Sequence, residues 1–234
     1  MKTVSIGDTH GVAVADVIVK IIDKYDKFIF VGDYVDSFDV DNLTMKKNLL
    51  EIIELKKQYP EKIRLLWGNH DIQYLLGYAE YGCTGYRPEM QYDFYEIFHS
   101  NADLFRFSYQ TGDYLWTHAG VHAGWFEYRF KRTKKEQTDI NAVSEFLNIA
   151  FSERYPALFD VGYKRGGIHN VGGPLWCDKT ELESKPLEGV NQIVGHTRLE
   201  HIQKIKKYDT EIAFIDILEN EETVNTSSFY YKEI

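Results

Sequence analysis

Asp8, His10, Asp33, Asn69, His118 and His196 share one setting: each lies just beyond a short apolar run that reads as a β-strand. Gly7-Asp8-Thr9-His10-Gly11 follows Val4-Ser5-Ile6. Gly32-Asp33-Tyr34-Val35-Asp36 follows Phe28-Ile29-Phe30-Val31. Gly68-Asn69-His70-Asp71 follows Ile63-Arg64-Leu65-Leu66-Trp67. Later in the chain, Thr117-His118-Ala119-Gly120 follows Tyr114-Leu115-Trp116, and Gly195-His196-Thr197 follows Gln192-Ile193-Val194. Carboxylate, amide and imidazole donors without thiolate suit manganese, iron or zinc. Two such ions, roughly 3.5–4 Å apart, can clamp the attacking and leaving oxygens of a phosphoryl displacement. The set is therefore the inventory of a two-metal hydrolytic centre, with Asp33 as the simplest shared carboxylate.

Such side chains must be carried to one place by the elements between them. In an open α/β sheet, ligands bind in the crevice beyond the carboxyl ends of the strands. A glycine beside each ligand lets the backbone turn sharply at that edge. Val14, Val17, Ile18, Ile21 and Ile22 repeat at helical spacing between the first two strands. Leu49, Ile52 and Ile53 mark a second helix ending near Tyr59-Pro60. Val143, Phe146, Leu147, Ala150 and Phe151 mark a third, with Asp139 near its start. The tail from Ile212 to Tyr230 alternates as strands do, with residues 219–222 as a turn. The expected architecture is α/β, a central two-sheet β-sandwich flanked by helices. It forms a single domain over 1–234, with insertions around 72–112 and 122–172. Tyr74, Tyr78, Tyr81, Tyr86, Tyr92, Phe94, Tyr95 and Phe98 crowd the first insertion and read as core and rim. Trp67 and Trp116 read as core strand residues.

Composition bounds the class. The 234 residues, 44% hydrophobic and 15% aromatic, describe a globular chain with a substantial core. No run spans a bilayer, and the first residues enter a strand without a signal-peptide pattern. Cys83 and Cys177 form no disulfide framework, so a reducing cytoplasm is the expected location. A net charge of -9 argues against broad nucleic-acid binding. Lys131, Arg132, Lys134 and Lys135 form a local basic cluster that reads as a solvated linker.

The ordered blocks GDTHG, GDYVD, GNHD, THAG and GH resemble the phosphoprotein phosphatase branch of the calcineurin-like metallophosphoesterases, which reads GDxHG, GDxVDRG, GNHE, a later His before small residues, and GH. Gly173-Pro174-Leu175-Trp176 resembles the family's tryptophan-bearing segment. The resemblance implies the metallophosphoesterase fold and two divalent metal ions, manganese first, with iron or zinc as alternatives. Asp8, His10 and Asp33 would hold one ion, and Asp33, Asn69, His118 and His196 the other. His70 would protonate the leaving alkoxide, with Asp36 orienting its imidazole; a carboxylate beside a histidine favours imidazolium.

Two departures stand out. Ser37 and Phe38 replace the Arg-Gly of GDxVDRG, removing a planar fork that grips phosphate. Asp71 replaces the Glu of GNHE and keeps the carboxylate. Arg165, in a glycine-rich stretch, and Arg198, after the last histidine, are the replacement phosphate grips to test. Lone His99, His122, His169 and His201 are read as non-ligands. Two function classes follow. One is hydrolysis of a phosphorylated protein or small molecule, most like a serine/threonine phosphatase, with a dinucleoside polyphosphate or nucleic-acid end as alternative. The other is a non-catalytic metal-binding scaffold of the same fold. The full ligand set favours the enzyme.

Overall fold

Parallel pairing decides where the ligand-bearing loops fall. The computed structural model describes residues 1–77, 82–130, 140–220 and 223–234, with only the backbone of 140–142. The basic cluster at 131–135, Asp139, Tyr78, Tyr81 and part of the 219–222 turn lie outside the described residues. The chain divides into two compact units. The first comprises Met1–Arg106 with Ile217–Glu233, and the second Phe107–Asp216 with Ile234.

The first unit is built on the strand order β10-β1-β2-β3-β4. Its strands are β1 (Lys2–Ile6), β2 (Lys27–Phe30), β3 (Ile63–Leu66), β4 (Phe105–Arg106) and β10 (Tyr230–Glu233). β1 to β4 run parallel and β10 pairs antiparallel at the edge. Strands of a parallel sheet are covered on both faces and so read as continuous apolar runs; Phe28, Ile29 and Phe30 are wholly buried. The register sets Ile6 opposite Phe30 and Phe30 opposite Leu65, so the loops after all three strands emerge at one edge. The connecting helices are α1 (Ala15–Val19) and α2 (Asn42–Gln58). The Asp41 side chain caps α2 by accepting from the amides of Leu43 and Thr44. Helix α1 is shorter than the apolar spacing predicts and gives way to a 3₁₀ turn at Ile22–Lys24. The run Val17-Ile18-Val19 is β-branched, which restricts χ1 and weakens helix propensity. Among the described residues the unit also carries helices α3 (Asn69–Leu76) and α4 (Gln91–Ser100).

The second unit has the order β5-β6-β7-β9-β8. Its strands are β5 (Tyr109–Thr111), β6 (Tyr114–Trp116), β7 (Asn191–Val194), β8 (Gln203–Lys207) and β9 (Thr210–Phe214). β6, β7 and β9 are parallel, and Trp116 lies opposite Ile193, so the residues following β6 and β7 leave one edge together. Helices α5 (Ala123–Phe130), α6 (Ile140–Ser152) and α7 (Lys179–Ser184) join these strands. The core beneath the edge includes Ala119, Cys177, Leu182, Val194, Ile212 and Phe214.

The tail departs from simple alternation: β9 and β10 are separated by 3₁₀ turns at Leu218–Asn220 and Thr226–Ser228. β8 escapes an apolar-pattern reading because its sequence, QKIKK, carries one apolar residue. Lysines on an edge strand discourage pairing with another chain. Trp67 and Trp116 are core residues, as expected. Among the described residues no helix is long and apolar enough to cross a membrane.

Candidate active site

In the first unit the loops after β1, β2 and β3 are tied together by their backbones. The amides of Thr9 and His10 donate to the Asp33 carbonyl at 3.0 and 2.9 Å, and that of Gly11 to the Tyr34 carbonyl at 2.8 Å. The closeness requires glycine at two points. A Cβ on Gly32 would lie 2.5 Å from the Gly68 nitrogen, and one on Gly68 would lie 2.1 Å from Asp33 Oδ1. His10, Asp33 and Asp36 adopt positive φ of 42°, 53° and 70°, a region costly for residues with a Cβ. His196 in the second unit does so too, at 66°. Strain of this kind persists where surrounding contacts over-determine the geometry, and it clusters at functional sites.

These turns gather donor atoms. Buried Asp8, His10 and Asp33 each offer an atom within 4.8 Å of the others. His10 Nδ1 donates to the Val35 carbonyl at 2.7 Å, leaving the Nε2 lone pair 3.9 Å from Asp33 Oδ2. That separation exceeds a hydrogen bond. It is within the span of two donors on one ion, each at about 2.0–2.2 Å. A histidine whose second nitrogen is held by a carbonyl is oriented as metal-binding imidazoles are. Buried Asn69 opens α3, and its amide group donates to Cys83 Sγ at 3.1 Å.

His70 is held differently. Its amide donates to Asp33 Oδ1 at 2.9 Å and its Nδ1 to Asp36 Oδ2 at 3.0 Å. Burial lowers the His70 pKa, but the carboxylates of Asp33 and Asp36 outweigh it and hold the imidazole up to about 9. Burial also raises Asp36 above the usual carboxylate range, opposed by its bonds from His70 and Tyr74. An imidazolium fixed at Nδ1 can deliver a proton from Nε2.

In the second unit His118 Nε2 and His196 Nδ1 approach to 3.1 Å, with the rings edge-to-face. The Trp176 ring meets His196 edge-on at 5.7 Å. The Gly195 amide donates to the His118 carbonyl, and that of Ala119 to the Pro174 carbonyl, both at 2.8 Å. Arg165 is anchored beside this pair: its Nε meets Asp178 Oδ2 at 3.0 Å and its Nη2 donates to Thr197 Oγ1 at 2.5 Å. Arg198 is exposed.

Against this geometry, the family model for calcineurin-like phosphoesterases matches residues 1–197. The chain belongs to the calcineurin-like phosphoesterase family. These are hydrolases of phosphate esters that depend on a dinuclear metal centre. The fold is similar to that of a cold-active protein-tyrosine phosphatase from a psychrophilic Shewanella species, at 17% identity, with a TM-score of 0.55 over 90% of this chain and 70% of the other. It is also similar to a protein serine/threonine phosphatase from Saccharomyces cerevisiae that resembles human phosphatase PP5. There the identity is 16% and the TM-score 0.52, over 92% of this chain and 67% of that one. No curated protein matches the sequence.

Within this phosphoesterase several residues act that pattern reading passed over. Asp71, treated in the sequence only as a shortened Glu, is fully buried and accepts from the amides of Gly68, Asp33 and Tyr34 at 2.8, 2.9 and 2.9 Å. It clamps the β2 and β3 loops on which Asp33, Asn69 and His70 ride. Asp71→Asn is expected to destabilise the protein by about 3 kcal/mol, because an amide nitrogen then faces backbone donors. Asp71→Glu, though it restores the family residue, is also expected to destabilise, since these short bonds leave no space for a methylene. Chemical denaturation checks both, and a wild-type midpoint for either variant refutes the clamp.

Arg87 was also missed. Its guanidinium donates to the Ser37 carbonyl, to the Val40 carbonyl at 3.0 Å and to Asn42 Oδ1 at 2.5 Å. It is committed to the 37–42 turn. Ser37 itself is buried, and its Oγ accepts from the amides of Asp39 and Val40 at 3.1 Å each. An arginine at 37 would remove the acceptor for both amides, so Ser37→Arg is expected to disturb this turn. Phe38 leaves room, being 71% exposed, but the turn does not.

Three of the remaining histidines are engaged elsewhere, and His201 is exposed. His122 Nδ1 accepts from the Trp125 amide at 3.1 Å, and burial followed by Lys185 lowers its pKa to about 4. His169 pairs with Asp160 at 3.1 Å, and His99 stacks on Tyr95.

Proposed function

We propose that this phosphoesterase hydrolyses phosphate monoesters, most like a serine/threonine protein phosphatase. Asp8, His10 and Asp33 would hold one metal ion, and Asp33, Asn69, His118 and His196 the other. Manganese is the proposed metal, with iron or zinc as alternatives, since three oxygen donors stand beside three imidazoles. When bound, two ions supply Lewis acidity toward the phosphoryl oxygens and lower the pKa of water. The observation that carries the reading is the double engagement of Asp33: its carboxylate belongs to the donor cluster with Asp8 and His10, and it also accepts from the His70 amide.

His70 is then the general acid. Asp36 holds Nδ1, so the proton on Nε2 passes to the leaving oxygen as its bond to phosphorus breaks. The chain is taken to act as one domain of 1–234 with insertions around 72–112 and 122–172, since the family match runs through both units. The cytoplasm is the proposed location, on the two buried free thiols Cys83 and Cys177.

For phosphate recognition we prefer Arg165 to Arg198, because Asp178 and Thr197, the residue after His196, pre-orient its guanidinium. Hydrolysis of p-nitrophenyl phosphate and of a phosphoserine peptide with added manganese tests the assignment. Arg165→Ala is expected to weaken inhibition by inorganic phosphate by about 10- to 100-fold, the worth of one charge-assisted hydrogen bond. Arg198→Ala should change it little. If neither variant alters phosphate inhibition, a polyphosphate or nucleic-acid end becomes the better substrate.

A further inference from the structure

The crowded aromatic segment gains a role from what surrounds Asp36. The Asp36 carboxylate takes His70 Nδ1 on Oδ2. Two more donors close on it: Gln73 Nε2 bonds Oδ2 and the Tyr74 hydroxyl bonds Oδ1. Gln73 and Tyr74 lie one turn beyond His70 on α3, and both are at least 99% buried. Neither touches the donor cluster of Asp8, His10 and Asp33 through any of these bonds.

The two donors are themselves fixed. The Cys83 amide donates to Gln73 Oε1 at 2.8 Å, which turns the amide nitrogen of Gln73 toward Asp36. The Arg87 amide donates to the Tyr74 hydroxyl at 3.1 Å, so that hydroxyl must spend its proton on Asp36. The Tyr74 ring is wedged between Tyr86 at 5.3 Å and Phe94 at 5.0 Å. Gln91 joins the frame, accepting from the Tyr86 hydroxyl at 2.8 Å and donating to the Tyr74 carbonyl at 3.0 Å. Residues 83–94 thus converge on one carboxylate that contacts His70.

We infer that Tyr74 and Gln73 are positioning residues for proton delivery, and that the aromatic segment behind them is the scaffold that holds Asp36 against His70. This rests on the reading of His70 as the general acid. The physical reason is directional. A buried carboxylate with one partner can rotate about χ2; with donors on both oxygens it presents a single lone pair to His70 Nδ1, and Nε2 is aimed in one direction. Loss of the Tyr74 hydroxyl leaves Oδ1 without its donor and lets the imidazole swing. Such loss affects only steps that need the proton, so substrates with good leaving groups are spared.

The test compares an alkyl phosphate with p-nitrophenyl phosphate in the manganese-loaded protein, using Tyr74→Phe, Gln73→Glu and His70→Asn. Tyr74→Phe is expected to lose roughly 10- to 100-fold on the alkyl ester and under about 3-fold on the aryl ester, as for one hydrogen bond to a charged group. Metal content by elemental analysis should be unchanged. Gln73→Glu keeps the acceptor for Cys83 but turns a second carboxylate on Asp36, and should show the same split. It answers the question should Tyr74→Phe fold poorly. The Tyr74→Phe/His70→Asn double variant should be no slower than His70→Asn alone. In zinc-loaded protein, the low-field proton resonance of His70 Nδ1–H, assigned by its absence in His70→Asn, should broaden in Tyr74→Phe. Equal losses on both esters for Tyr74→Phe and Gln73→Glu, or full additivity with His70→Asn, overturn the inference while the acid reading stands. Equal losses for His70→Asn itself remove the acid reading, and the inference with it.

Discussion

His70→Asn is expected to retain its metals and to lose on the order of 10²–10⁴ in kcat on alkyl phosphates, the usual span of a general acid's contribution. The loss on p-nitrophenyl phosphate should be far smaller, because that leaving group departs without a proton. The side chain makes one bond through Nδ1, to Asp36, and the amide bond to Asp33 survives the substitution. A pH profile gives an independent reading. An acid must be protonated to act, so the rate on alkyl esters falls as pH rises through the His70 pKa. Burial lowers that value and the carboxylates of Asp33 and Asp36 hold it up to about 9. Cations on Asp33 would weaken one of the two supports, so the alkaline limb in the metal-loaded enzyme should lie below about 9. His70→Asn should lack that limb. Equal losses on both ester types, or an unchanged limb, would remove His70 from the role.

Asp33→Asn is expected to have the second large effect. The carboxylate would neutralise cation charge in the cluster with Asp8 and His10, and it accepts from the His70 amide. The asparagine oxygen can keep the second contact, so the fold should persist, whereas the first loses its negative charge. As the proposed bridge, Asp33 serves both ions. Metal content should fall below two per chain, and activity by about 10³-fold, the equivalent of several kcal/mol of metal-supplied stabilisation. Elemental analysis and kcat/KM at limiting manganese check this together. Full occupancy by two ions in the variant would falsify the bridge.

The sequence by itself determined the strand ends and what they carry. Asp8, Asp33, Asn69, His118 and His196 follow strands in the structure because apolar runs bounded by glycine leave few other local solutions, and parallel pairing then brings their loops to a common edge within each unit. His70 beside Asn69 was legible on the same grounds. Only the tertiary structure decided what holds them. The Asp36–His70 pair, 34 residues apart, was expected from the resemblance; that Asp71 clamps amides 37 and 38 residues before it, and that Arg87 reaches back 50 residues to the Ser37 carbonyl, was not. No local pattern encodes the Asp71 and Arg87 bonds, since their partners here are backbone groups whose positions depend on the finished fold. The same reason separates Arg165 from Arg198: both stand near suggestive motifs in the sequence, but only the folded second unit seats the Arg165 guanidinium on Asp178 and Thr197. It also explains the aromatic segment, whose composition reads as core and rim, while its folded form delivers a hydroxyl and an amide to one buried carboxylate.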